Sequence, residues 1–488
     1  MHPTPPFARA VIGTLSLSIV VIGIAVGAFP LPLAAQPLSQ LSDRARSFTW
    51  SEASHFVIHD VTLIDGTGAP ARPAMSVEIR DGRIVQVAPA AEIQVDTRAE
   101  RVDGTGGTLI PGLVMLHEHM FYPSGQGRYN TNEVSFPTLY LAGGATTIRT
   151  GGSLDPYTDL RTRALIDEGA IPGPDMDVTG PYLEGPGGFI RAFPQLATPE
   201  EARAHVNFWM DRGVTSFKAY NLIDRATLGA AIQAAHARGA KVTGHLCSIT
   251  YREAADLGID NLEHGFFAAT DWVEGKEPDR CVGGANATYL ALDLEAPEFL
   301  DVVDHLVDRG VALTSTLNVV ERRGDHRPHP PEGAMEALLP QLREAVERRL
   351  GPPHAGPAET PELLRRYMEM ERIFHERGGL LVAGTDPTGG GDVVPGYANQ
   401  RAIQLLVEMG LSIEEAVMVA TRNGALYLER SDEIGTVEPG KRADLVLMDG
   451  DLTTDLEAVR QMTVVFKEGV AYDSRALFES VVGWVGVR

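Results

Sequence analysis

Eight short apolar runs, alternating with amphipathic segments through the middle of the chain, restrict the fold more than any other feature. They lie at residues 109–116, 145–149, 175–180, 214–218, 241–245, 260–264, 311–316 and 380–385. Strand-like runs separated by helical segments are typical of parallel sheets, whose strands need crossover connections. Eight such units predict an α/β fold of the (β/α)8 TIM-barrel type rather than an open sheet, and no Gly-x-Gly-x-x-Gly motif indicates a dinucleotide.

Runs of a different kind occur at both ends of the chain. "FVIHDVTLIDGTG" and "MSVEIRDGRIVQVAP" precede the alternating region, and "MTVVFKEGVAYD" follows it. Short strands joined by glycine-containing turns are typical of antiparallel sheets. At 488 residues the chain also exceeds the roughly 250–300 at which one core stops growing. We therefore predict a small β-sandwich domain built from residues 50–110 and 433–488, and a barrel over 111–432.

The first 36 residues have the composition of an export signal. Arg9 precedes a long apolar run that ends in the small residues Ala34 and Ala35. This pattern predicts a secretory signal peptide over residues 1–36. Residues 10–29 are also long enough to cross a bilayer as an uncleaved anchor, so both alternatives remain open. Either one predicts a periplasmic or secreted catalytic body, with no other membrane contact.

Charge and cysteine content restrict the partners. The 65 acidic residues outnumber the 42 basic ones, giving a net charge of -23. Such a balance argues against nucleic acid or an anionic membrane surface as a partner. Cys247 and Cys281 are the only cysteines, so the chain has at most one internal disulfide.

The first barrel run leads directly into two histidines, in "LIPGLVMLHEHMFYP" at residues 109–123. Because the side chains of alternate strand residues point the same way, His117 and His119 project from the same face of the strand. Two neutral imidazoles side by side suit a divalent metal. An isolated His-x-His pair is more often two exposed or core histidines that bind nothing, so the rest of the rim must decide.

A barrel places its reactive residues at the carboxyl ends of its strands. The later runs end in further candidate ligands, at intervals of 27 and 19 residues for the middle pairs. Each interval accommodates one crossover. The predicted rim set is His117, His119, Lys218, His245, His264 and Asp386.

This set resembles the amidohydrolase superfamily, in particular its binuclear branch with His-x-His, a lysine, two histidines and an aspartate on successive strands. The spacing resembles the prolidase and Xaa-dipeptidase-like members, with imidazolonepropionase as a further relative in fold. The tail "GLSIEEAVMVATRNGALYLERSDEIGTVEPGKRADLVLMDGD" also resembles the family. The resemblance therefore covers nearly the whole chain after residue 36.

The resemblance implies a cofactor and a mechanism. Two divalent metal ions are expected, with zinc favoured by the ligand types and manganese or cobalt not excluded. A lysine ammonium has no lone pair, so Lys218 would bridge the metals only after carbamylation by carbon dioxide. The first metal is then expected at His117, His119 and Asp386, and the second at His245 and His264. Lys218 alone is also compatible with a solvent-reaching lysine.

The implied reaction is hydrolysis of an amide or peptide bond in a dipeptide or N-acyl amino acid. A metal-bridging hydroxide would attack, with Asp386 as general base and then general acid. Three residues near strand ends are candidate substrate ligands: Arg149, Tyr182 and Tyr220. Arg149 would hold a substrate carboxylate, although a structural ion pair explains an arginine there equally well.

Two further features of the sequence need an explanation, and the first is a departure from the family pattern. Met115 stands where relatives commonly carry an aspartate, so a carboxylate that supports the metal ligands is missing there. The Pro-rich insertion at 322–361 is too long for a plain connection, and either a lid or a solvated loop would explain it.

Alternatives to the amide hydrolase are a cyclic-amide hydrolase or deaminase on the same scaffold, and a catalytically silent metal- or ligand-binding barrel. Self-association into a homo-oligomer is left open.

Overall fold

The computed structural model describes most of the chain. Its described residues are 1, 38–93, 96–125, 128–321, 330–331, 333–350, 360–388 and 392–486. The expected signal peptide or anchor therefore lies outside the described residues, apart from Met1. Within the described part, none of the helices has the length and apolar character needed to cross a membrane.

The elements are numbered in chain order. The strands are β1 (His55–Leu63), β2 (Arg72–Arg80), β3 (Arg83–Pro89), β4 (Glu100–Asp103), β5 (Thr108–Pro111), β6 (Leu113–Glu118), β7 (Phe121–Gly125), β8 (Arg128–Thr131), β9 (Ala145–Thr150), β10 (Asp175–Asp177), β11 (Ser216–Ala219), β12 (Lys241–Gly244), β13 (Asn261–Glu263), β14 (Ala312–Ser315), β15 (Leu381–Ala383), β16 (Leu445–Met448), β17 (Met462–Lys467) and β18 (Val470–Asp473).

The α-helices are α1 (Asp43–Arg46), α2 (Ser135–Ala142), α3 (Pro156–Asp167), α4 (Pro199–Met210), α5 (Arg225–His236), α6 (Tyr251–Leu257), α7 (Ala285–Ala291), α8 (Pro297–Asp308), α9 (Leu317–Glu321), α10 (Ala334–Ala337), α11 (Pro340–Leu350), α12 (Thr360–Glu376), α13 (Tyr397–Glu408), α14 (Ile413–Ala420), α15 (Arg422–Tyr427) and α16 (Ser474–Ser480). Helix starts follow local chemistry: Thr198 caps α4 with its side chain, and Pro199 occupies the first turn.

Eight parallel strands form two arcs in the middle of the chain. One arc has the order β10-β9-β6, and the other runs β11-β12-β13-β14-β15. Parallel bridging of Thr179 with Ser216 joins the arcs on one side. On the other side, the amide of Asp386 donates to the carbonyl of His117 at 2.9 Å. The result is the TIM-barrel-like α/β fold that the alternating pattern predicts.

The predicted run at 109–116 is divided between two sheets. Gly112 separates β5 from β6, and a side chain at that position would collide with Thr146. β5 pairs with β1 and β16, whereas β6 pairs with β9. The break therefore lets one apolar run serve both the terminal sheet and the barrel-like sheet.

Strands from both chain ends form one eight-stranded sheet, in the order β18-β17-β16-β5-β1-β2-β3 with β4 beside β1. β1 bends at Asp60, whose φ is 65°, and the pairing register slips there. The rings of Phe56 in β1 and Phe466 in β17 pack edge to face, with centroids 5.4 Å apart. Residues of these strands share one apolar core, and their arrangement as a β-sandwich stays a prediction.

Partly buried ion pairs attach this sheet to the barrel-like sheet at the start of β10. Asp175, at the start of β10, lies 2.8 Å from Arg442, 2.9 Å from Arg430 and 2.6 Å from Lys467 at the end of β17. Burial opposes the charged form of Asp175, but the three cations hold its pKa well below its usual value.

Candidate metal centre

The six predicted rim residues come together at the carboxyl ends of the parallel strands. Nζ of Lys218 lies 2.9 Å from Nε2 of His117. Nε2 of His119 lies 3.0 Å from Oδ1 of Asp386, and His117 Nε2 lies 3.5 Å from the same oxygen. The ring centroids of His245 and His264 are 4.6 Å apart. One cluster therefore contains every expected ligand.

Hydrogen bonds determine which nitrogen of His119 is available to bind a metal ion. Nδ1 of His119 lies 3.1 Å from the carbonyl oxygen of Gly152, which only accepts, so Nδ1 carries the proton. The Nε2 lone pair therefore faces the Asp386 carboxylate, and this buried nitrogen has no hydrogen-bond partner among the described residues. Two electron-pair donors facing each other at 3.0 Å suit a bound cation between them.

Three of the ligands satisfy a geometric condition for one ion. Single donor atoms of His117, His119 and Asp386 all lie within 4.8 Å of one another. His264 stands beside them, with its Nδ1 3.8 Å from Oδ2 of Asp386. Since imidazole and carboxylate are the ligands that zinc prefers, the residues present fit a divalent metal.

Burial lowers the pKa values of several basic groups in the site. It lowers the pKa of His119 to about 4 and that of His245 to about 3, so both imidazoles have lone pairs at neutral pH. It also lowers the pKa of Lys218 to about 8, despite nearby carboxylates. For Asp386, burial raises the pKa, but the neighbouring His117 outweighs this effect and holds the pKa well below its usual value.

Two site residues have backbone conformations that residues other than glycine rarely adopt. φ is 65° at His264 and 53° at Asp386, both in the left-handed region. Such residues cost free energy and cluster at functional sites, where the surrounding structure holds them. In both residues this backbone conformation interrupts the alternating side-chain directions of the strand, and the side chain points toward the cluster.

Glu263 is a functional residue that the sequence reasoning missed. Its Oε2 lies 2.7 Å from Nδ1 of His117, opposite the nitrogen that faces the cluster. A carboxylate in this position fixes the tautomer and orientation of a metal-ligating histidine. Met115, by contrast, is completely buried in the apolar core. Glu263 is therefore a carboxylate beside His117, and only its place before His264 in "LEHG" could have signalled it.

Arg149 does not reach the substrate side of the cluster. Its side chain is fully buried, and Nη1 donates to Glu263 at 3.1 Å and to the carbonyl of Leu116 at 3.0 Å. Its other nitrogens donate to Ser216 and Thr243. Arg149 is therefore a structural partner of Glu263 rather than the carboxylate ligand expected from the sequence, because protein acceptors occupy its guanidinium.

Glu118, between the two histidines, faces away from them. Its carboxylate accepts hydrogen bonds from Thr385 at 2.5 Å and Asn399 at 3.1 Å. Burial raises the pKa of Glu118 to about 8. These hydrogen bonds link the end of β6 to the segment that carries Asp386.

A cavity of about 260 Å³ opens above the cluster. Tyr182 and Tyr220, the other two predicted substrate ligands, both line it, together with Lys218, His245 and His264. The Tyr220 and His245 ring centroids are 4.9 Å apart. A small molecule in this cavity would contact both tyrosines and the cluster.

Two loop features adjoin the cavity. Cys247, two residues after His245, forms a disulfide with Cys281. This is the single bridge that the cysteine count allowed. Val319 and Val320 of α9 line the cavity immediately before the insertion at 322–361. Residues 322–329, 332 and 351–359 of that insertion lie outside the described residues, so its role as a lid stays a prediction.

Imidazoles and a carboxylate that converge at strand ends of a barrel-like fold define the class of metal-dependent barrel enzymes. Residues 108–471 match the model of the amidohydrolase family. An imidazolonepropionase of Micrococcus luteus is 24% identical over 409 residues, covering 80% of this chain and 91% of that protein. The chain belongs to the amidohydrolase family, and it is a hydrolase acting on carbon–nitrogen bonds.

Solved structures agree with the fold. A Bifidobacterium longum protein described as a prolidase is 25% identical, with a TM-score of 0.63 over 88% of this chain and 99% of that one. A Xaa-Pro dipeptidase with bound methionine is 19% identical, with a TM-score of 0.64 over 86% of this chain and 100% of that one. Family membership leaves no support for a catalytically silent barrel.

Proposed function

We propose that this chain is an exported, binuclear metal-dependent amidohydrolase that cleaves an amide or peptide bond of a small substrate. The observation that carries the proposal is the position of Lys218. Its Nζ lies 2.9 Å from His117 Nε2, inside a cluster that otherwise contains only imidazoles and a carboxylate. An uncharged amine there, once carbamylated, supplies a second carboxylate on a long stem.

The residues divide into two ligand sets. His117, His119 and Asp386 would hold one divalent ion, His245 and His264 the other, and carbamylated Lys218 both. Zinc is the favoured ion for these ligand types. Bound metal ions supply two effects: they lower the pKa of water and polarise a carbonyl group.

Asp386 performs the proton transfers in this proposal. Its carboxylate takes a proton from the attacking water and delivers it to the amide nitrogen as the carbon–nitrogen bond breaks. The low pKa of Asp386 keeps its carboxylate ionised before the reaction. Lys218, Glu263 and the imidazoles hold the arrangement in which this transfer occurs.

Export is part of the proposal. The N-terminal pattern at residues 1–36 predicts it, and the Cys247–Cys281 disulfide supports it, because disulfides persist mainly outside the cytoplasm. A periplasmic or secreted location follows, and self-association remains a prediction.

A cyclic-amide hydrolase is the second candidate, favoured by the similarity to imidazolonepropionase over 80% of the chain. Against it, Lys218 contributes to the cluster, and a bridging lysine points to two metals rather than one. Ammonia release with one metal per chain would favour a deaminase instead.

The decisive experiment combines elemental analysis of the purified protein with turnover of dipeptides, N-acyl amino acids, neutral amides and cyclic amides. We expect about two divalent metals per chain and cleavage of a linear amide. Asp386→Asn should abolish turnover, and the exposed Asp432→Asn serves as its control. Metal-loaded protein that cleaves no amide of any type would refute the proposal.

A further inference from the structure

The wall of the cavity above the metal centre is almost entirely apolar. Its described lining, apart from the cluster, Thr316 and Thr388, consists of Phe121, Tyr129, Leu154, Tyr182, Phe189, Ile190, Phe193, Tyr220, Phe267, Val319 and Val320. Phe189 is 73% exposed at the rim. Exposed aromatic side chains beside an apolar cavity are typical of a site that receives an apolar ligand.

Three rings form one side of the cavity. Tyr182 and Phe193 stack with centroids 3.8 Å apart, and Tyr220 stands edge-on to both at 5.4 Å and 5.0 Å. Nζ of Lys218 lies 5.6 Å from the centroid of Tyr182. This aromatic cluster therefore adjoins the position of the scissile bond, where it would pack against a flat apolar group of the substrate.

Cationic side chains are scarce around this space. Among the described lining residues of the cavity, Lys218 is the only lysine or arginine, and it faces His117. Arg149 is enclosed by protein acceptors. A substrate carboxylate in this cavity would lose water without gaining a cationic partner beyond the metal centre, which costs free energy.

The outer part of the opening adds negative charge. A second pocket shares Phe121, Tyr129 and Leu154 with the cavity, and its described lining includes Glu133 and Asp155 but no lysine or arginine. The whole chain carries a net charge of -23. Electrostatic repulsion therefore disfavours the approach of an anionic substrate.

We propose that the substrates are neutral amides bearing an aromatic or bulky apolar group, rather than dipeptides or N-acyl amino acids with a free carboxylate. The inference rests on the amide hydrolysis proposed above and narrows its substrate class. The aromatic cluster holds the apolar group, and the scissile amide lies at the metal centre.

A matched pair of anilides separates charge from reactivity. 4-Methylacetanilide and 4-acetamidobenzoate each contain one hydrolysable bond, and the methyl group does not activate the leaving amine. With the metal-loaded full chain, we expect kcat/KM for the neutral anilide to exceed that for the carboxylate by at least about tenfold. The dipeptide Ala-Phe is expected to react more slowly still.

The outcomes separate this inference from the proposed function. Faster turnover of 4-acetamidobenzoate or Ala-Phe overturns the neutral substrate class but leaves amide hydrolysis intact, and would direct attention to the arginines within 322–329. Turnover of none of the three, nor of any other amide in the panel, removes the proposed function and this inference with it.

Two variants test the cavity itself. Leu154→Arg places a cation at the half-buried position shared by both pockets, and we expect it to raise kcat/KM for 4-acetamidobenzoate by about tenfold relative to the neutral anilide. Phe193→Ala removes a stacked ring, and should raise KM for 4-methylacetanilide by roughly threefold to tenfold at unchanged metal content. An unchanged preference in folded Leu154→Arg protein contradicts the inference.

Discussion

Oε2 of Glu263 lies 2.7 Å from Nδ1 of His117, on the side of the ring that faces away from the metal centre. Burial raises the pKa of this carboxyl, but His117 and Arg149 outweigh that effect and keep it charged. The carboxylate lies behind His117 as seen from the cluster. We therefore expect Glu263 to position His117 for metal binding.

Glu263→Gln should weaken metal binding by about 10- to 100-fold, since a neutral amide supports the basicity of His117 less well. Titration of the metal-free protein against a competing chelator measures this affinity. Glu298→Gln, an exposed change on α8, is the matched control. Wild-type metal affinity in a folded Glu263→Gln protein would show that the carboxylate does not position His117.

Lys218→Ala should lose the bridging ligand and with it at least one metal ion per chain. Because the missing group is a carboxylate, formate or acetate should partly restore both metal content and turnover, whereas chloride at equal ionic strength should not. Elemental analysis after gel filtration gives the metal content independently of activity. Full metal loading of Lys218→Ala without added carboxylate would contradict carbamylation.

Glu371→Gln should make the protein more stable than the wild type at alkaline pH. Glu371 on α12 is 1% exposed, and burial raises its pKa to about 7 from 4.5. The folded state therefore prefers the neutral acid, and stability falls as pH rises from about 4.5 to 7. Above pH 7 the amide variant should be favoured by up to about 3 kcal/mol, with little difference at pH 4.

Urea unfolding at pH 4 and pH 8 measures this difference. Glu376→Gln, at an exposed position of the same helix, should show no such pH dependence. An equal free energy of unfolding for wild type and Glu371→Gln at both pH values would show that Glu371 is ionised in the folded protein.

Cys281→Ser should lower the free energy of unfolding by roughly 2–4 kcal/mol, because the disulfide closes a long loop. Since Cys247 is two residues from His245, the second metal equivalent should also dissociate more readily. Wild type reduced with a phosphine should behave like the variant. Unchanged stability and metal binding after reduction would show that the bridge does not support this part of the site.

The eight parallel strands and the clustering of the candidate metal ligands were predictable for simple reasons. Apolar runs of strand length marked all eight parallel strands, and alternation placed His117 and His119 on one face. The structure brings all six predicted rim residues into one cluster, since carboxyl ends of parallel strands share one rim.

The supporting residues were not predictable, because strand alternation fails where they act. The left-handed backbone of His264 lets both it and Glu263 point toward His117, although adjacent strand residues normally face opposite ways. Arg149 and Lys218 both stand near strand ends, yet one is enclosed beside Glu263 and the other reaches the cluster. The two side chains lie at different distances from the rim of the barrel-like sheet. The spacing of residues in the sequence does not reveal that difference.

Pairing of β5 with β16 has a consequence for how the chain is made. Thr108–Pro111 finds its antiparallel neighbour in Leu445–Met448, more than three hundred residues later. During synthesis, β5 therefore has one unpaired edge until nearly the whole polypeptide has emerged. Unpaired strand edges can pair with other chains. A protein truncated before residue 445 would leave that edge unpaired, and we expect it to aggregate more readily than the full chain.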